Sequence, residues 1–362
     1  MFTEADVRKV LLDIKDSGSN KSILELGWIE KIDVKDQKAI IRLNLPNFAN
    51  SQRDRIASEI KELLNSSQQI SQVQIELSNM PNNSNQGEIG GAGHGQVAPL
   101  QAIQGVKNVI AVSSGKGGVG KSTVAVNLAC ALSQKGYDVG LLDADIYGPN
   151  IPIMLGVSDQ TPEVIGSGAD QKIIPIESCG VAMVSMGLLI DENQPVIWRG
   201  PMLNGIIRQF LYQASWGQKD FLVVDLPPGT GDAQLSLAQA VPMKGVLIVT
   251  TPQKVSLQDS RRGLAMFKQM NVPIIGVIEN MSSFIPPDQS ERKYALFGTG
   301  GGMTLSKENS VPLLAQLPLE MNTLDGHKEG LPIVFQFPKS ITAKSFHNLA
   351  TAVVENIEKI KN

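Results

Sequence analysis

Apolar and polar positions divide the chain into two regions with different rhythms. In the first, the period changes from segment to segment: Val7, Val10, Leu11 and Ile14 recur at helical spacing, whereas Ile41, Leu43 and Leu45 alternate with polar neighbours. That alternation predicts the second strand of a half-buried hairpin whose first strand lies within 27–34. Ile56, Ile60, Leu63 and Leu64 make one apolar stripe on a second helix, with Ser51 and Asp54 as a capping pair, and Val73, Ile75 and Leu77 alternate as a last strand. The order helix, strand, strand, helix, strand predicts a small α+β module over residues 1–80, with its helices on one face of a sheet. Between 81 and 106 the pattern lapses into glycine, asparagine and proline, the composition of a flexible linker.

From residue 107 to 362 short, wholly apolar runs alternate with helical patterns. The runs fall at 109–112, 139–142, 221–224, 246–249, 274–278 and 313–317. Strands covered on both faces lose the polar alternation, so this part predicts an α/β fold: a parallel sheet flanked by helices, with working residues at the C-terminal ends of strands. The last helix, 345–360, carries an apolar stripe that suits packing on the core.

The first of those strand ends carries the chemistry. Gly115 opens the spacing G-x-x-x-x-G-K-S, completed by Gly120, Lys121 and Ser122. Gly115, Gly117, Gly118 and Gly120, with Val119 between them, let the backbone curl so that successive N–H groups face the oxygens of a polyphosphate. Lys121 adds a point charge for the β- and γ-phosphates. Ser122 offers a hydroxyl to Mg²⁺, and with Thr123 it begins a helix whose N-terminus favours an anion. Asp143 and Asp145 follow the next strand, where carboxylates can order metal-bound water or hold an attacking water. Asn280, after the strand at 274–278, has the paired donor and acceptor that suit a base edge.

Totals narrow the partners. The 362 residues carry a formal charge of −3, with 42% hydrophobic and 19% charged side chains. Nucleic acid, which selects a clear basic excess, is not expected as a partner. No apolar run approaches the roughly 18 residues of a membrane span, and the acidic opening lacks the features of a secretion or import signal. A cytoplasmic protein without a membrane partner is the expectation. Cysteine occurs only at Cys130 and Cys179, no C-x-x-C is present, and His94, His327 and His347 stand apart, so spacing points to no metal site.

Taken together, Ser113–Thr123, Asp143–Asn150, Trp198–Met202, Asp225–Asp232, Val277–Met281 and Phe297–Gly301 resemble the Mrp/ApbC family of the MinD/ParA class, over nearly the whole chain. The resemblance implies a Mg²⁺-dependent, slow ATPase that works as a homodimer and carries iron–sulfur clusters to apo-proteins or works with assembly factors. It implies that Lys116 reaches the nucleotide of a partner copy and that Asp145 aligns the attacking water, with Asp143 supporting the metal shell. It further implies that Asp225 sits around the magnesium through water, that Gly229 turns its N–H toward the γ-phosphate, that Asn280 reads adenine, and that 317–320 is a loop closing over base or ribose. The leading module, with Ile23–Ile29 between its first helix and hairpin, resembles the small domain of iron–sulfur assembly factors. Two departures matter. The cysteine common after the second strand of that domain is absent from 44–48. The family's C-x-x-C is absent between Met281 and Phe297, which leaves the cluster ligands unknown.

Two further readings come from this resemblance and class: a cluster-less ATPase adaptor or scaffold in the same pathway, and a MinD/ParA-like positioning ATPase. The second wants a basic amphipathic tail or a basic face, and the polar face of 345–360 is not markedly basic. A kinase or ligase on the same fold would need an acceptor pocket with its own base, and no such constellation is visible.

Overall fold

In a computed structural model the chain divides into two compact units, Met1–His94 and Gly95–Asn362. The structure describes residues 4–12, 14, 22–25, 28–35, 38–43, 56, 59–61, 63–64 and 72–77 of the first. In the second it describes 101–145, 148–166, 171–188, 200–231, 234–235, 238–239, 241–288, 292–321 and 330–360.

The first unit has helix α1 (Glu4–Leu11) and strands β1 (Ile29–Lys35), β2 (Lys38–Leu43) and β3 (Gln72–Leu77). β1 and β2 form the hairpin, and β3 runs parallel to β2, giving the order β1-β2-β3. Consecutive parallel strands need a crossover, and helical residues around Ile60 and Leu64 lie in it. Alternation does its work in β2: Ala39, Ile41 and Leu43 are buried with Val7, Leu11, Ile23 and Trp28 in a core of their own. The capping pair expected at Ser51 and Asp54 lies outside the described residues.

The second unit is built on an eight-stranded sheet. Its strands are β4 (Val106–Ser114), β5 (Val139–Asp143), β8 (Ile176–Ser178), β9 (Val181–Ser185), β10 (Lys219–Asp225), β11 (Gly245–Thr250), β12 (Ile274–Glu279) and β14 (Leu313–Gln316). They lie in the order β14-β12-β11-β4-β10-β5-β9-β8 and are parallel except for the β8–β9 hairpin. Short ribbons β6 (Val164–Ile165) with β7 (Lys172–Ile173), and β13 (Phe284–Ile285) with β15 (Leu319–Glu320), stand outside the sheet. The stretch expected as a base-closing loop, 317–320, thus contains a paired strand.

Central strands are apolar on both faces because both are covered. Ile110 and Val112 of β4 face α2 (Lys121–Gln134) and α6 (Ile341–Lys359), whereas Val109 and Ala111 face the opposite layer. That layer holds α3 (Gly200–Gln213), α4 (Lys254–Gln269) and α5 (Gly301–Asn309). The last helix buries Phe346, Leu349, Val353 and Ile357, so its apolar stripe is spent on the core. Among the described residues no helix is long and apolar enough to cross a membrane.

Candidate functional site

β4 ends at Ser114 and α2 begins at Lys121, so the glycine loop between them caps the C-terminal edge of the sheet at its centre. Gly118 (φ +79°) and Gly120 (φ +81°) turn the backbone through left-handed geometry, which a side chain would oppose. A Cβ on Gly120 would also collide with the Asn280 amide. Ser114 Oγ donates to the Lys116 carbonyl at 3.0 Å, and Val124 N–H donates to the Gly120 carbonyl as the helix starts.

Neighbouring strand ends then supply charge. The register sets Asp225 of β10 against Asp143 of β5. Lys121 is 6% exposed and its Nζ lies 2.8 Å from Asp225 Oδ1 and 3.5 Å from Asp145 Oδ2. Ser122 Oγ donates to the other oxygen of Asp225 at 2.5 Å. Burial pushes the Asp225 carboxyl up, and Lys121 partly opposes this. A cleft of about 200 Å³ opens beside these groups, lined by Lys116, Lys121, Ser122, Thr123, Asp145 and Pro228 among others.

Asp143, expected to support the metal shell, does not line that cleft. It is 0% exposed, with Oδ1 accepting from Asp145 N–H and Oδ2 from Ser185 Oγ and, at 3.4 Å, from Ile151 N–H. Burial, with the nearby Asp225 charge, raises its carboxyl to about 8. Its oxygens are taken up by Asp145, Ile151 and Ser185, and the spacing D-x-D could not tell such a brace from a metal neighbour.

Gly229 (φ +101°) has its N–H on the Ser114 carbonyl at 2.9 Å, so that donor is already taken. Asn280 Nδ2 donates to the Val119 carbonyl at 2.9 Å, so the amide braces the phosphate loop. Gly115 packs against the backbone of Asp259 and Ser260. Trp198 and Arg199, with His94 and His327, lie outside the described residues. Sequence reasoning missed Ser185, which fixes Asp143, and Gln234, whose amide donates to Ser113 Oγ. Both act across long separations, and neither carries a local signal. Asn150, which also lines the cleft, stood inside the quoted Asp143–Asn150 motif.

Among the described residues no group of three or more His, Cys, Asp or Glu is arranged to hold a metal ion. Where the resemblance placed two cluster thiolates, Phe284 exchanges backbone hydrogen bonds with Tyr294 and pairs with Leu319, and no thiol is present.

Comparison with known proteins converges on these features. Residues 105–354 match the family described as NUBPL iron-transfer P-loop NTPase, and residues 4–77 match one described as iron-sulfur cluster assembly protein. An iron-sulfur cluster carrier protein of Synechocystis is 48% identical over 99% of this chain and 98% of its own. A nucleotide-binding protein from Archaeoglobus fulgidus, solved in complex with ADP, is 32% identical at a TM-score of 0.55, covering 66% of this chain and 94% of that one. The septum site-determining protein MinD of Pyrococcus horikoshii, solved with Mg-ADP, is 25% identical at a TM-score of 0.53, covering 70% of this chain and 99% of that one.

Proposed function

Because this chain belongs to the NUBPL iron-transfer family of P-loop NTPases, we propose that it binds and slowly hydrolyses ATP as a homodimer that serves iron–sulfur cluster transfer. One observation carries the reading: Lys121, Ser122 and Asp225 meet within hydrogen-bond distance at the mouth of a glycine loop. Lys121 would leave Asp225 for the β- and γ-phosphates, and the loop N–H groups would take the remaining oxygens. Ser122 Oγ and the Asp225 carboxylate are hard oxygen donors that suit Mg²⁺, Asp225 acting through water. Mg²⁺ arriving with ATP would neutralise charge on the phosphate oxygens.

Asp145 lines the cleft and would orient a water against the γ-phosphorus, on the side opposite the bridging oxygen that departs with ADP. Lys116, also at the cleft, would reach the nucleotide of a second copy. Gly229 must first release the Ser114 carbonyl before its N–H can meet a γ-phosphate, which makes that bond a candidate point of switching. Asn280 would hold the loop with its NH₂ and leave its amide oxygen for the base.

Two variants test this by calorimetric titration with MgATP and by phosphate release. Lys121→Ala is expected to weaken nucleotide binding by about tenfold to a hundredfold, the loss of charged hydrogen bonds at a buried site. Lys116→Ala is expected to keep affinity within a few-fold and to slow turnover by about a thousandfold, as removal of a charge supplied in trans does. Equal loss of binding in both would remove the trans role of Lys116.

The cluster is cargo, and a specific observation favours a second reading of how it is handled. The chain has two cysteines, neither lies between Met281 and Phe297, and Cys130 is 0% exposed. An ATPase adaptor whose client or assembly partner supplies the thiolates fits that composition. Anaerobic reconstitution with iron and sulfide, read by iron content and absorbance, separates the two. A stable cluster on the chain alone supports the carrier, and its absence supports the adaptor.

A further inference from the structure

The chain has two cysteines, and the fold brings both to one core cluster. Cys130 lies in α2, wholly buried on the face that packs against the sheet, and Cys179 packs against the same core cluster from the turn between β8 and β9. Cys179 (φ +50°) and Gly180 (φ +70°) are the two central residues of that hairpin turn. Left-handed geometry at the first of them favours asparagine or glycine over a thiol residue. Ser133 lies three positions beyond Cys130 on the same side of α2, and its Oγ donates to the Gly180 carbonyl at 2.8 Å. This bond holds the turn on the helix at the level of the thiols. The two thiols lie close enough to shift each other's titration, Cys130 upward and Cys179 downward.

We propose that Cys130 and Cys179 are a redox-active dithiol that closes to an intrachain disulfide by exchange with a low-molecular-weight disulfide. Access orders the steps. Cys179 is half-buried beside exposed Gly180, whereas no external oxidant reaches Cys130. The Cys179 thiolate attacks one sulfur of the oxidant, the oxidant's S–S bond breaks, and one thiolate leaves. Cys130 then gives up its proton and attacks Cys179 Sγ, which breaks the mixed disulfide and expels the second thiolate. Two protein thiols are oxidised by two electrons, the oxidant is reduced to two thiols, and these take up the two protons. The Cys130 thiol supports the first step, since with the Ser178 hydroxyl it draws the Cys179 thiol down to about 6 despite partial burial. The product would tie the phosphate-loop helix to the edge of the sheet. The exchange needs neither nucleotide nor cluster, so it stands apart from the cluster-transfer reading.

The full chain is incubated anaerobically with glutathione disulfide, quenched with acid, denatured, alkylated and analysed by mass. The expected result is loss of both alkylation sites and a linked peptide pair containing residues 130 and 179. Cys130→Ser, which nearly preserves volume, should stop at a single glutathione adduct on Cys179, and Cys179→Ser should show no adduct. If the wild-type chain keeps both thiols alkylatable, or accumulates the adduct at Cys179 with Cys130 free, the proposal is overturned. The wild-type peptide map decides even if a variant fails to fold.

Discussion

Lys121 is the cation set among Asp143, Asp145 and Asp225, and burial decides how that imbalance is resolved. With water excluded, Asp143 holds a proton that an exposed aspartate would have lost, its carboxyl reaching about 8. The folded value lies above the unfolded one, so the associated stability is fully present below about pH 4 and is lost as pH rises toward 8. Unfolding free energy measured by urea titration should therefore fall over that window. Asp143→Asn should be less stable than wild type at pH 4, because an amide cannot accept from Asp145, Ile151 and Ser185 together, yet its decline with pH should be shallower. Parallel declines would show that another group sets the dependence. A residual slope is expected from Asp225, whose carboxyl burial also raises.

Among the elements, the last helix shows how a local device fixes the start of a core-packing helix. α6 covers one face of the sheet under the phosphate-loop helix, and its start is fixed by Ser340 Oγ, which accepts from Ala343 N–H at 3.0 Å. Glu320 Oε2 accepts from Thr342 N–H in the same first turn, so the β13–β15 ribbon and the helix are joined there. Ser340→Ala should cost about 1 kcal/mol, the usual worth of such a cap. The urea midpoint should move without a change in slope, and nucleotide affinity should stay as it was. A changed slope would mean that the helix end has frayed more widely than one cap.

For the whole molecule, separate cores make a separable prediction. The cluster around Trp28 and Ile41 shares no residue with the two clusters that sandwich the large sheet, and every described side chain of the phosphate cleft lies between Ser114 and Pro228. A fragment of residues 95–362 should bind MgATP with the affinity of the full chain in calorimetry. A large loss would show that the first unit contributes to the site.

The sequence by itself determined the sheet's centre, the phosphate loop and the hairpin of the first unit. Each is a short-range consequence of composition: β4, β5, β10, β11 and β12 read as unbroken apolar runs because both faces are covered, and glycines at fixed offsets from Lys121 permit only a narrow set of backbone paths. β8 and β9, at the sheet's edge, were not marked, since three- and five-residue strands with serine ends carry little pattern. Tertiary structure alone decided that Asp143 is walled in while Asp145 reaches the cleft, that Gly229 is held by Ser114, and that Cys130 and Cys179 come to one core cluster. Those outcomes depend on which chain segments exclude water from a group and which distant atoms face it, and neither periodicity nor spacing encodes that.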